Sequence, residues 1–385
     1  MYKYLFLLLL LLPAVLLAQV YPQHKPDKAL KDLTAEELAS LCLDVSEQHK
    51  KVEIGKFADE MGSVLNGTML ISKGNQIYTQ RAYGYRKLAF PTSEQKIADT
   101  TCFELASVSK QFTAAAVLQL VAQEKVHLND YLTKYFPALP YHGITVHHLL
   151  SHTSGLPEYF NFSESWFPKG RLTTNKDVVD ALVKYHPATL FDPGTNYKYI
   201  NTNYALLALI VEQASGLSFE EYVRRNIFEP AGMTRSFYVT QRGQKNASSI
   251  ATGHTKDKSA LTIKGLDGTF GDKGLYSTVS DIFKWKIAYF DDYKILSKDW
   301  VKLATSPENK LKNNKMPSED YGYGWHLEHN VRFGELVYHG GLWHGFHNLL
   351  IYNPEGDVFM IFLSNYRNCS HCKKGEEVLQ IMRGA

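Results

Sequence analysis

The period of the hydrophobic pattern changes twice along this chain, and that succession limits its fold more than any other feature. Thr68 to Ser72 and Gln76 to Tyr83 alternate as strands do, with Gly74-Asn75 between them as a turn, so an antiparallel hairpin is expected. From Ser107 through Val121 the spacing becomes helical, with Phe112, Ala115, Ala116, Leu118 and Val121 on one periodic stripe. The middle, from about Leu128 to Met233, reads as helices and loops, including an apolar helix over Asn203 to Ala214 closed by Ser215-Gly216. After Thr269 strands return: Ser280-Asp281 starts a helix, and Leu336 to Tyr338, Phe346 to Tyr352 and Val358 to Leu363 read as strands. Pro354-Glu355-Gly356-Asp357 joins the last two, and Gly375 to Met382 is a terminal helix. Strands at both ends with helices between them imply an α/β (α+β) fold. A central antiparallel sheet built from both termini would be flanked by helices and carry an inserted helical subdomain.

The first residues stand outside that pattern. Lys3 precedes an unbroken apolar run from Leu5 to Leu12, which resumes after Pro13 as far as Ala18. This is signal-peptide architecture, with cleavage expected after Ala18, and it is shorter than a bilayer span. No Cys follows the run, so no lipid anchor is expected; the mature chain is read as exported, periplasmic or secreted, with no membrane span. A polar lead-in follows, with one helix started by Thr34 and Glu37 at capping-box spacing. Of the 385 residues, 42 are basic and 39 acidic, a formal charge of +3. Without a long basic block, nothing points to nucleic acid as a partner.

The four cysteines, Cys42, Cys102, Cys369 and Cys372, could pair in an exported protein, and the sequence does not fix how. Cys369-x-x-Cys372 lacks a second ligand pair at zinc-like spacing and a βαβ context, so a structural or incidental pair is the plainer reading. The clusters His339, His344 and His347, and His147, His148 and His152, match no zinc-enzyme spacing. His152 is expected as a hydrogen-bonded core residue. Neither metal nor organic cofactor is called for.

Candidate nucleophiles come from a different pattern. Gly-x-Ser-x-Gly is absent. Ser-x-x-Lys, which puts hydroxyl and amine on one helix face, occurs at Ser93, Ser107 and Ser370. Only Ser107 opens a long apolar helix, where a partly buried Lys110 would lose solvation and become a better base. The competing reading makes Ser107 a helix N-cap and Lys110 a surface charge.

The text around Ser107 tips the balance. Phe103-Glu-Leu-Ala-Ser107-Val-Ser-Lys110-Gln-Phe-Thr-Ala resembles the nucleophile region of the serine β-lactamase and penicillin-binding protein superfamily, in its class C-like, esterase-like branch. Leu149-Leu-Ser-His-Thr-Ser-Gly-Leu156, Phe191-Asp-Pro-Gly-Thr-Asn-Tyr-Lys-Tyr199-Ile-Asn201, Gly271-Asp-Lys-Gly-Leu-Tyr-Ser-Thr278 and His339-Gly-Gly341 continue the series in order. The resemblance runs from about Gly67 to Asn365.

It implies a β-lactamase/transpeptidase-like fold. The expected division is a leader at 1–18, a lead-in at 19–60 and a catalytic domain at 61–370. Its α/β part would span about 61–120 and 265–385, and its helical part about 121–264. The resemblance further implies an acyl-enzyme on Ser107, with proton transfer by Lys110 and Tyr199 and the oxyanion held by the backbone N–H groups of Ser107 and Leu342. Asn201, His339, Gly340 and Gly341 would bind substrate, the glycine pair letting substrate lie along an edge strand.

A tyrosine can act as base only if a neighbouring cation lowers its pKa, a role Lys110 would fill. Relatives that bind penicillin more often carry Lys where His339 stands, so the charge here is expected to follow pH. That weakens the case for a substrate carboxylate, and a carboxylesterase or a peptidase of D-amino-acid-containing peptides is expected ahead of an efficient β-lactamase. The alternative is a slow or inactive penicillin-binding-like protein that recognises cell-wall peptide.

Overall fold

The computed structural model describes residues 34–383 apart from Phe90, 241–248, 313–318 and Cys369. The expected leader lies outside them, and so does any pairing of Cys369. The chain forms two units, one from 34–63 with 374–383 and one from 64–373. The first pairs the helix Ala35–Met61 with the terminal helix Gly375–Arg383. Thr34 opens the former with the expected capping box: its hydroxyl accepts from Glu37 N–H, and the Glu37 carboxylate accepts from Thr34 N–H.

The second unit is organised by a seven-stranded antiparallel sheet. Its strands are β1 (Gly67–Lys73), β2 (Gln76–Tyr83), β6 (Asp320–Tyr321), β7 (His326–Asn330), β8 (Gly334–Trp343), β9 (Phe346–Asn353) and β10 (Val358–Ser364). The remaining β3 (Phe103–Glu104), β4 (Phe237–Tyr238) and β5 (Leu275–Ser277) form a small sheet in the order β3-β5-β4. The large sheet runs β2-β1-β10-β9-β8-β7-β6, so the two ends of the unit meet where β1 pairs with β10, from Gly67 opposite Ser364 to Lys73 opposite Val358. Every residue of β10 is buried, which requires cover on both faces; the helix Val279–Lys286 packs on β1 and β10 from one side.

Between the hairpin and the returning strands lies the helical part. Lys110–Ala122 is buried almost all round, polar Gln111 and Thr113 included, and packs against Asn201–Ser215. It is a central helix with no solvent face, so apolar spacing alone understates it. Both polar side chains bond inside: Trp285 Nε1–H donates to Gln111 Oε1 at 2.6 Å, and Thr113 Oγ1–H to the Gly271 carbonyl at 2.8 Å, while Gln111 Nε2 is buried without a partner.

Two expectations about β8 need correction. It runs through the His339-Gly-Gly motif to Trp343, past the expected end at Tyr338. Nor is it an edge strand, since β7 pairs with residues 334–338; among the described residues the outer side of 339–343 carries no strand partner. A length mismatch between neighbouring strands, which no periodicity reveals, exposes this half of β8.

Candidate active site

Ser107 sits in a single 3-10 turn, Ala106–Ser109, ahead of the helix that begins at Lys110. It makes no capping hydrogen bond, so the N-cap reading of this serine does not hold. The residue before it, Ala106, is fully buried with φ 51°, a left-handed conformation that costs a non-glycine residue about 1–2 kcal/mol. No motif or spacing signals this conformation. Ser93, by contrast, begins the short turn Ser93–Gln95, which has no buried residue.

Lys110 is 0% exposed, and its Nζ lies 3.1 Å from Ser107 Oγ, 2.8 Å from Asn201 Oδ1 and 2.8 Å from the Asp272 carbonyl oxygen. Two of those three partners are pure acceptors. A neutral amine has two N–H donors and one lone pair, so with both donors engaged by Asn201 and Asp272 its lone pair faces the serine hydroxyl. Burial pushes the Lys110 ammonium down to about 7, opposed by the Asp272 and Glu158 carboxylates.

Asn201 can present its oxygen to Lys110 because Glu158 holds the other side of the amide. Glu158 Oε2 accepts from Asn201 Nδ2 at 2.9 Å and from its backbone N–H at 2.7 Å. Glu158 carries no motif signal beyond its place two residues after Leu156, and the sequence reading missed it. Tyr159-x-Asn161, which repeats the Tyr199 tripeptide, serves elsewhere: Tyr159 is fully buried and its hydroxyl donates to Asp272 Oδ2 at 2.8 Å.

Tyr199 stands against this group, with Lys110 Nζ 4.7 Å from its ring centroid. Its hydroxyl is buried without a hydrogen bond of ordinary geometry, although the neighbouring Ser107 hydroxyl favours ionisation. Burial dominates and holds the phenol well above its usual range. The expected lowering by Lys110 therefore does not occur: desolvation outweighs the cation, and Tyr199 stays a protonated phenol while Lys110 becomes the weak acid of the pair.

His152 is the buried core residue expected, with φ 58°. Its Nδ1 accepts from Ile200 N–H at 3.1 Å and its ring lies 4.3 Å from that of Tyr199. The Ser-His-Thr loop thus fixes the backbone that carries Tyr199.

His339 is 1% exposed, its Nδ1 2.7 Å from the Gly340 carbonyl and its Nε2 3.2 Å from the Tyr321 hydroxyl. Burial first, then His326 and Lys110, hold its pKa well below the ordinary value. The expected pH-dependent charge is corrected to a neutral ring at physiological pH, with Nδ1–H donating to the carbonyl and Nε2 accepting from the phenol. His326 beside it is pushed to about 4 by burial.

The two glycines of the motif differ. A Cβ on Gly341 would lie 2.2 Å from the Leu105 carbonyl oxygen, whereas one on Gly340 meets nothing nearer than Asn348 O at 3.9 Å. Gly341 is needed for the approach of β8 to the Ser107 turn, a packing reason that stands beside the expected accommodation of substrate. Leu342, next in the strand, is 48% exposed beside that turn. A cleft next to Leu342 is also lined by Lys256, Asp257 and Arg367, charged residues the sequence reading had not placed near the site.

Among the described residues no group of three or more His, Cys, Asp or Glu side chains is arranged to hold a metal ion. Cys102 is buried, with Sγ 3.4 Å from the Arg235 carbonyl. No helix among them is long and apolar enough to cross a membrane.

The family model described as Beta-lactamase matches residues 54–381. Penicillin-binding protein 4* of Bacillus subtilis is 31% identical over 333 residues, covering 83% of this chain and 72% of that protein. The solved penicillin binding protein from Bacillus halodurans superposes with a TM-score of 0.69 at 26% identity, over 86% of this chain and 97% of the other. The octameric penicillin-binding protein homologue from Pyrococcus abyssi does so with a TM-score of 0.69 at 27% identity, over 82% and 73%.

Proposed function

Because this chain belongs to the Beta-lactamase family, we propose that it is a serine hydrolase working through an acyl-enzyme on Ser107, with Lys110 as base and Tyr199 as proton relay. The carrying observation is the Lys110 amine, its donors taken by Asn201 and Asp272 and its remaining valence directed at Ser107 Oγ 3.1 Å away. As Oγ bonds to the substrate carbonyl carbon, its proton passes to Lys110 and the carbonyl π pair moves onto oxygen. The N–H groups of Ser107 and Leu342 receive that oxyanion; one such donor is worth about two to three orders of magnitude in rate. Collapse breaks the bond to the leaving group, which takes the proton from Lys110 through the Tyr199 phenol. Water then repeats the sequence and frees Ser107.

The bond cleaved is read as an ester or amide, a carboxylic ester or a peptide containing D-amino acids ahead of a β-lactam. A neutral His339 puts no cation on the His339-Gly340-Gly341 stretch, which supports an ester without a carboxylate. Lys256 and Arg367 beside Leu342, which outnumber the one carboxylate of that cleft, Asp257, favour the peptide reading, since they could meet a terminal carboxylate. Export remains part of the proposal, on the leader sequence alone.

The test is to incubate the protein with a fluorophosphonate, a labelled penicillin and a chromogenic ester, then map any mass increase. Absence of acylation at Ser107 by every probe in folded protein refutes the catalytic reading. Rapid ester turnover without a penicillin adduct selects the esterase, and a stable penicillin adduct without ester turnover selects the binding protein.

A further inference from the structure

Near Lys110 lies a second buried lysine that the mechanism does not use. Lys273 is 2% exposed and follows Asp272, whose backbone carbonyl accepts from Lys110 and whose carboxylate is fully buried. Lys273 Nζ donates to the Tyr159 hydroxyl at 2.9 Å and to Thr269 Oγ1, and stands 3.7 Å from Asp272 Oδ2. The Tyr159 hydroxyl in turn donates to that same Oδ2. Rings enclose the ammonium: Trp343 at 4.9 Å, Phe160 at 5.4 Å and Tyr159 at 5.5 Å from Nζ, with Phe160 and Trp343 stacked on each other. Water is shut out, so charge interactions here are weakly screened.

We propose that Lys273 is a positioning residue for proton transfer: through Tyr159 and directly, it compensates the buried Asp272 carboxylate and so keeps Lys110 available as a base. This rests on Lys110 being that base. The need for compensation is visible in Asp272 itself, whose second oxygen, Oδ1, is buried with no hydrogen-bond partner. An uncompensated carboxylate next to Lys110 would hold the ammonium form and keep the lone pair from Ser107.

Of the other groups around the pair, only the Glu158 carboxylate adds a charge that Lys110 feels, and like Asp272 it raises the proton affinity of Lys110. His152, His326 and His339 face Lys110 as neutral rings, and Tyr199 and Tyr204 as protonated phenols. Glu158 faces it with a carboxylate bound to Asn201. Near Lys273, burial pushes Glu104 up to about 8, so it is largely neutral at pH 7. Asp267 is occupied by Trp343 Nε1–H and by His344. Asp272 and Lys273 act on Lys110 in opposite senses, the first raising and the second lowering its proton affinity.

The experiment is the rate of fluorophosphonate labelling of Ser107 as a function of pH in wild type, Lys273→Met, Lys273→Arg, Asp272→Asn and the Lys273→Met/Asp272→Asn double variant. In wild type the rate should rise with pH through about 7. Lys273→Met moves that midpoint up by about one pH unit or more, Asp272→Asn moves it down, and the double variant returns toward wild type. Lys273→Arg keeps it. A purely structural role lowers the rate at every pH and leaves the midpoint in place, which overturns the proposal. Should Lys273→Met fail to fold by circular dichroism, Asp272→Asn decides, and an unmoved midpoint there refutes the idea. A wild-type rate without any rise refutes the Lys110 reading itself, an outcome distinct from a midpoint that exists and does not move.

Discussion

Gly341→Ala is the sharpest test of how the fold builds this site. The new methyl carbon would sit 2.2 Å from the Leu105 carbonyl oxygen and 3.3 Å from Ala106 Cβ. Ordinary contact begins more than 1 Å further out, and the obstacle is backbone, so β8 must move away from the Ser107 turn. Overpacking of this kind costs about 1–3 kcal/mol. The unit of residues 64–373 should have an unfolding entropy near 0.65 kcal/mol/K at about 2.1 cal/mol/K per residue, so the cost appears as a Tm lower by about 2–5 °C. The effect on chemistry is larger. A shift of about 1 Å between Leu342 N–H and Ser107 removes one oxyanion donor, a loss of about two to three orders of magnitude in acylation. Thermal melts paired with fluorophosphonate labelling kinetics measure both. Gly340→Ala, with 3.9 Å of clearance, should leave Tm unchanged. Equal Tm losses in the two variants, or a Gly341→Ala protein labelled at the wild-type rate, would refute the reasoning.

Lys110→Met should abolish Ser107 labelling, and its stability relative to wild type should depend on pH. The folded pKa of Lys110, about 7, lies below its unfolded value. The burial penalty is therefore fully present below pH 7 and relieved as pH rises toward about 10.4, so wild type gains on the variant between pH 7 and 10 in denaturant titrations. Tyr199→Phe should slow acylation by about two to four orders of magnitude, as loss of a proton relay does, while Tm holds because its buried hydroxyl has no ordinary hydrogen bond to lose. Asp267→Ala strands the Trp343 Nε1–H and Lys264 N–H donors, both at 2.7 Å, and should cost about 1–3 kcal/mol in urea unfolding.

The sheet of two chain ends was legible in the linear text because its signals are local, whereas the Ser107, Lys110, Tyr199, Asn201 and His339 set came from the resemblance of five motifs in order. Strand alternation, a Gly-Asn turn and a Ser-x-x-Lys at the head of an apolar run each fit within about a dozen residues. Glu158 was not legible, because it acts by orienting an amide 43 positions away, and the motif around Asp272 did not show that both its carbonyl and its carboxylate would act on Lys110. The reason for Gly341 was equally hidden, since only the approach of Leu105 from another segment shows why a methyl group does not fit.

Protonation states divide the same way. The sequence determined which titratable groups the site would contain, a lysine, a tyrosine and histidines. Tertiary structure alone decided that Lys110 loses its charge near neutrality, that Tyr199 keeps its proton and that His339 stays neutral. Each of these follows from desolvation, and desolvation depends on every segment packed around a group, whereas residue identity depends on none of them.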